Sequence, residues 1–175
     1  MDRSYLILFL VGKDRPGIVD DVTRLLFDKG ANIEDSRMAS MGGSFSIMTL
    51  FSCTVDQLKT IEIEVEKFKK LGFEVSLHEA EDPVAVQKRP ELLLKIEVTA
   101  MDHPGIVQRV VNILSRHDVN IESLNTQVTK APLSGAPIFD LALEAGVPVE
   151  KSVAKIKEEL TALAAEMNLD LNFTR

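Results

Sequence analysis

Asp14, Arg15, Pro16, Gly17, Ile18 and Val19 return 88 positions later as Asp102, His103, Pro104, Gly105, Ile106 and Val107. Both sets have the composition of an anion-binding loop. Asp can cap a new helix, Pro suits its first turn, and Gly lets another group approach the backbone. The free amides of a helix start, with the dipole behind them, favour a carboxylate. A second repeat keeps the same offset: Asn32-Ile33-Glu34 and Asn120-Ile121-Glu122. A side-chain amide there offers a donor and an acceptor. Amides for a carboxylate, with oxygens for an ammonium, compose an amino-acid site. The same residues also make an ordinary helix start and an ordinary turn. Arg15 could pair with a ligand carboxylate or form a plain surface salt bridge. Its counterpart His103, beside Asp102, could titrate near neutrality.

These loops need elements to hold them, and the hydrophobic pattern supplies the same elements twice. Tyr5 to Val11 is an apolar run of strand length that stops at Gly12. Ile18, Val22, Leu25 and Leu26 mark one helix face, and Gly30 ends that helix as its C′ residue. Asn32 to about Met41, the Gly42-Gly43 turn and Phe45 to Cys53 read as a hairpin. Leu58, Ile61, Val65 and Phe68 form a second helix, closed by Gly72, and Phe73, Val75 and Leu77 alternate as a last strand. The order recurs in the second half. Leu92, Leu94, Ile96 and Val98 alternate, Ile106, Val110, Ile113 and Leu114 share a helix face, and two strands flank a longer loop from Thr129 to Pro137. A helix through Val153, Ile156, Leu160, Leu163 and Met167 precedes Leu169, Leu171 and Phe173. The expected architecture is α+β: two tandem ferredoxin-like βαββαβ domains, each a four-stranded antiparallel sheet with two helices on one face. Lobe 1 spans 1–80, the polar, proline-bounded stretch 81–90 is the linker, and lobe 2 spans 91–175.

The lobes differ in one respect. A sheet with helices on one side should carry polar residues on its open side. Lobe 2 does so, with Lys95, Glu97, Thr99, Asp140 and Glu144 between its apolar positions. In lobe 1, Tyr5, Ile7 and Phe9 oppose Leu6, Leu8 and Leu10, and Met48 and Leu50 oppose Phe45, Ile47 and Phe51. An exposed face of that kind would be a large apolar patch. The expectation is that lobe 2 or another subunit covers it, with a homodimer as the natural form.

A net charge of −7 without clustered Lys and Arg argues against direct nucleic-acid binding, and one Tyr with no Trp argues against an RNA-stacking sheet. Lys67, Lys69 and Lys70 stand among Glu62, Glu64 and Glu66 on a solvated helix. Cys53, the one cysteine, has no resolving partner and reads as a buried thiol. The apolar run after Met1-Asp2-Arg3 is too short to span a membrane and lacks a signal-peptide pattern, so a cytoplasmic protein is expected. No nucleotide loop, metal-ligand spacing or Ser-His-Asp set is present, and no cofactor is expected. His78 and His117 read as surface residues.

Asp14-Arg15-Pro16-Gly17-Ile18-Val19, then Asn32-Ile33-Glu34-Asp35-Ser36-Arg37, then the Gly42-Gly43 turn before Phe45 resemble the ACT domain, a module that binds amino acids in metabolic enzymes and regulators. The whole chain is most similar to the glycine cleavage system transcriptional repressor group, which consists of two tandem ACT domains. The resemblance implies a ligand near the loop after the first strand. Carried over, it implicates Asp14, Arg15, Gly17, Ile18 and Asn32 in lobe 1 and Asp102, His103, Gly105, Ile106 and Asn120 in lobe 2. The intact lobe 2 motif departs from that group and extends the expectation to both lobes, with lobe 1 favoured for Arg15 and its longer match.

The function so implied is a non-catalytic sensor of a small amino acid, glycine or serine by resemblance. It would act through a protein partner such as a transcription regulator. The rival is an interaction module with no ligand. A remote third reading is an acylphosphatase-like enzyme, in which Arg15 and Asn32 would position phosphate and water.

Overall fold

Alternating leucines build the first strand. Leu6, Leu8 and Leu10 of β1 (Ser4–Lys13) are buried against the helices, while Tyr5, Ile7, Phe9 and Val11 face the other way. A computed structural model describes residues 3–86 and 90–174, in two compact units, Met1–Gln87 and Lys88–Arg175.

In lobe 1, β1 leads through the loop to α1 (Ile18–Asp28), then β2 (Asn32–Met41), β3 (Ser44–Cys53), α2 (Val55–Lys70) and β4 (Glu74–Ala80). Lobe 2 repeats the series as β5 (Glu91–Met101), α3 (Ile106–Arg116), β6 (Asn120–Lys130), β7 (Pro137–Pro148), α4 (Val153–Met167) and β8 (Asp170–Thr174). The sheets run β2-β3-β1-β4 and β6-β7-β5-β8, with antiparallel neighbours throughout. This is the βαββαβ arrangement expected, made twice.

Local chemistry explains the boundaries. Gly30 leaves α1 at φ 72°, and the Ala31 amide turns back to donate to the Leu26 carbonyl. α2 opens on a capping box: the Gln57 amide donates to the Thr54 hydroxyl, and the Thr54 amide donates to the Gln57 side chain. Gly42 and Gly43 take positive φ of 59° and 81°, the geometry that joins β2 to β3 in two residues. The matching lobe 2 connection is longer, residues 131–136.

Several details correct the sequence reading. β1 does not stop at Gly12 but continues to Lys13. Gly12 is needed there for space, because a Cβ would lie 2.3 Å from Cδ1 of the Phe73 ring. His117 is not a plain surface residue: its side chain is 15% exposed and its Nε2 lies 3.0 Å from Glu159 Oε1. Of the 81–90 segment, residues 87–89 lie outside those described. Before them, the Ala85 and Val86 amides donate to the Asp82 carbonyl in a turn.

Each lobe has its own core between sheet and helices. In lobe 1, Leu8, Leu10, Ile18, Leu26, Phe51 and Ile61 are at most 2% exposed, and in lobe 2 the same is true of Ile96, Ile106, Leu114, Leu143, Ile156 and Leu160. Cys53 belongs to the lobe 1 core, and burial pushes its thiol above the ordinary range. Thr49 is also fully buried there, and among the described residues its hydroxyl has no hydrogen-bond partner.

Candidate functional site

The two Asp-x-Pro-Gly loops have the same backbone. Gly17 and Gly105 are the N-caps of α1 and α3, at φ 88° and 102°, and neither helix has a side-chain cap. This left-handed conformation is what requires glycine. Sequence reasoning gave the capping task to Asp, and the structure overturns that. Asp14 and Asp102 lie three residues before the caps and use their amides on the neighbouring hairpin instead. The Asp14 amide donates to the Gly43 carbonyl at 3.0 Å and the Asp102 amide to the Pro137 carbonyl at 3.1 Å. Ile18 and Ile106, the first helical residues, are buried, and the amides of each first turn have no side-chain cap.

The side chains of the two loops are in different states. The Asp14 carboxylate accepts a 2.6 Å hydrogen bond from the Ser40 hydroxyl, which ties the loop to the end of β2. Arg15 forms the surface salt bridge that was the alternative to ligand pairing. Its Nη2 donates to Asp21 Oδ2 at 2.7 Å, and its guanidinium lies over the Phe73 ring at 5.6 Å. In lobe 2, by contrast, the Asp102 carboxylate makes no hydrogen bond or ion pair among the described residues. His103 Nδ1 lies 3.2 Å from the Pro104 carbonyl, so its ring is held beside its own backbone. Val128 occupies the place of Ser40, which removes the tie.

Asn32 and Asn120 are not brought to these loops. Asn32 pairs across the sheet with Ser52, and Ser52 with Tyr5, at the end where β1 begins. Asp14 lies nine residues farther along, about 30 Å away at the strand rise. Asn120 likewise pairs with Gly146, and Gly146 with Leu93, while Asp102 follows the far end of β5. Loop and asparagine therefore cannot hold one small ligand within a single lobe. The same separation removes the acylphosphatase-like reading, since Arg15 and Asn32 cannot position one phosphate and its water.

What Asn-Ile-Glu builds instead is a strand start with a bulge. The register shifts between Ile33 and Asp35 in β2 and between Ile121 and Ser123 in β6, so the Glu is the extra residue in each. In lobe 1, Glu34 Oε1 accepts from Ser52 Oγ at 2.6 Å and Asn32 Nδ2 at 3.0 Å, and Arg3 Nη1 donates to Ser52 Oγ at 3.3 Å. The Ser52 and Asn32 donors hold the Glu34 carboxyl below its ordinary range. Ser40 and Ser52 were missed as partners because their relevance lies in cross-strand register, and Asp21 because it lies in the first turn of α1, outside either motif.

Among the described residues, no group of three His, Cys, Asp or Glu could hold a metal ion, and no helix is long and apolar enough to cross a membrane.

Two βαββαβ lobes with matching strand–loop–helix turns define a tandem regulatory module of the ACT class. Models of the ACT domain match residues 4–78 and 95–164, so the chain belongs to the ACT-domain family as two domains in tandem. It is 29% identical to the glycine cleavage system transcriptional repressor of Escherichia coli (strain K12) over 95% of this chain and 87% of that protein. A protein of unknown function from Galdieria sulphuraria superposes with a TM-score of 0.80 at 26% identity over 98% of both chains. The crystal structure of a candidate glycine cleavage system transcriptional repressor gives 0.70 at 22% identity, covering 98% of this chain and 96% of that one. The chain is thus a regulatory ACT-domain protein related to that repressor.

Proposed function

We propose that this chain is a non-catalytic sensor that binds a small amino acid at its Asp-x-Pro-Gly loops and passes the signal to a protein partner. The observation that carries the proposal is the pair of left-handed glycine N-caps at Gly17 and Gly105, each without a side-chain cap. A ligand carboxylate can take the amides that a capping residue would otherwise occupy. An amino acid also brings an ammonium, which needs an acceptor. Asp102 offers an open carboxylate, whereas Asp14 already serves Ser40. This favours the lobe 2 loop, Asp102 to Ile106 with His103, reversing the order suggested by sequence. Glycine heads the ligand candidates because the similar repressor is named for the glycine cleavage system, with serine beside it on the ACT-domain resemblance alone. The charge of −7 favours action through a protein, such as a transcription regulator, over direct contact with DNA.

The test is a thermal-shift screen of the full chain against the common amino acids. An amino acid at 100 times its dissociation constant should stabilise the fold by about 2.7 kcal/mol. Asp102→Ala should abolish that shift, while Asp14→Ala should lower the baseline stability and leave the shift. No response to any amino acid would sink the sensor reading and leave the interaction module.

A further inference from the structure

The open face of the lobe 1 sheet can be compared with that of lobe 2 position by position, since the two registers match. Cross-strand partners stand side by side on one face. In lobe 1 the rows across β2-β3-β1-β4 are Asp35–Leu50–Ile7–His78, then Arg37–Met48–Phe9–Ser76, then Ala39–Ser46–Val11–Glu74. The corresponding lobe 2 rows are Ser123–Glu144–Lys95–Thr174, Asn125–Ala142–Glu97–Asn172 and Gln127–Asp140–Thr99–Asp170. Thus Ile7, Phe9, Val11 and Leu50 stand where lobe 2 has Lys95, Glu97, Thr99 and Glu144.

The difference lies in the environment each face is built for. Lobe 2 shows a solvated surface: Lys95 pairs with Glu144 at 3.5 Å, Thr99 donates to Asp140 at 2.8 Å, and Ala142 lies in an open depression of about 400 Å³ beside Glu97, Asn125 and Asp140. Lobe 1 leaves Phe9 39%, Val11 40% and Met48 41% exposed, side by side with the half-buried Ile7 and Leu50. A contiguous apolar face inside a polar rim has the composition of an interface centre.

We infer that this face is the contact between two copies of the chain, packed sheet to sheet about a twofold axis parallel to the strands. The rim charges favour that occupant. Such an axis lays β3 over the partner copy's β1 and β2 over its β4, and keeps each row opposite itself. Met48 then meets Phe9, Leu50 meets Ile7, and the Asp35–Arg37 ion pair of one rim faces His78 and Glu74 on the other, His78 being packed edge-on to Phe9. The apolar centre meets its own kind, and the mixed-charge rim of β2 meets the polar rim of β4. In lobe 2 the three matching rows are polar except for Ala142, and the exposed Leu93 and Met101 stand apart at the two ends of β5.

The experiment is sedimentation equilibrium on the full chain. It should run at twice its 19.4 kDa mass. Phe9→Glu, which installs the residue lobe 2 carries at that position, should raise the dimer dissociation constant about a hundredfold or more, because each face would bury an unpaired carboxylate. Circular dichroism reports whether the variant folds. If it does not, Met48→Ala, again the lobe 2 residue, gives a milder version of the same weakening. Asp35→Lys, opposite His78, should weaken association about two- to fivefold. Glu97→Gln in lobe 2 should change nothing. A wild-type monomer at every concentration, or a folded Phe9→Glu variant that still dimerises as wild type, would overturn the inference.

Discussion

Replacing Thr49 with valine should make lobe 1 more stable. Thr49 lies on the helix-facing side of β3, opposite Leu8 on one side and Ser36 on the other, and is fully buried. Its hydroxyl has no hydrogen-bond partner among the described residues. An unpaired buried hydroxyl costs about 1–3 kcal/mol in desolvation. Valine keeps the β-branched shape and strand preference, so little is lost in packing. Lobe 2 has Leu143 at the equivalent position, 2% exposed. The expected gain is therefore about 1–2 kcal/mol, which raises the midpoint of a domain this size by about 4–8 °C per kcal/mol. Urea unfolding should show a higher midpoint at unchanged slope. Thr49→Ser, which keeps the hydroxyl and opens a methyl-sized void, should move the other way by about 1 kcal/mol. A destabilised Thr49→Val would refute the argument and show that the hydroxyl has a partner worth more than its desolvation.

Three further outcomes follow from the geometry. Gly12→Ala should destabilise lobe 1 by about 1–3 kcal/mol through the clash with Phe73, read as a lower urea midpoint. Glu34 has a lowered folded-state pKa, so its contribution is present above the ordinary carboxylate range and is lost as pH falls through the folded value. Acid titration of stability should consequently be shallower below pH 4.5 in Glu34→Gln than in wild type. Ser40→Ala should release the Asp14 carboxylate, and hydrogen exchange should quicken at residues 40–43 while the 131–136 connection stays as it was.

How far the chain could be read differs between fold and site, for physical reasons. Helix ends at Gly30 and Gly72, the hairpin at Gly42-Gly43 and the two-faced β1 follow from local chemistry and periodicity, both written in consecutive residues. The site depends on which residues share an end of the sheet. A strand, a returning helix and a second strand place the start of β2 where β1 began, so Asn32 belongs opposite Tyr5 and far from Asp14. The βαββαβ topology itself implies this separation, whereas the shared 88-residue offset of the two motifs carries no distance between them. The Ser40–Asp14 tie was legible from neither motif, because it depends on a hairpin register that pairs Ser40 with Phe45 and Phe45 with Gly12. The glycine N-caps looked like Asp caps because Asp precedes a helix by only a few residues in both cases.

Cys53 gives lobe 1 a built-in clock. It is the chain's one thiol, 3% exposed at the end of β3, and burial disfavours its reactive thiolate. A thiol reagent can reach it only when lobe 1 opens, so the labelling rate measures how often that lobe alone breathes. Lobe 2 is silent in the same tube. Ligand or partner effects that reach lobe 1 would slow the clock, and those confined to lobe 2 would leave it running.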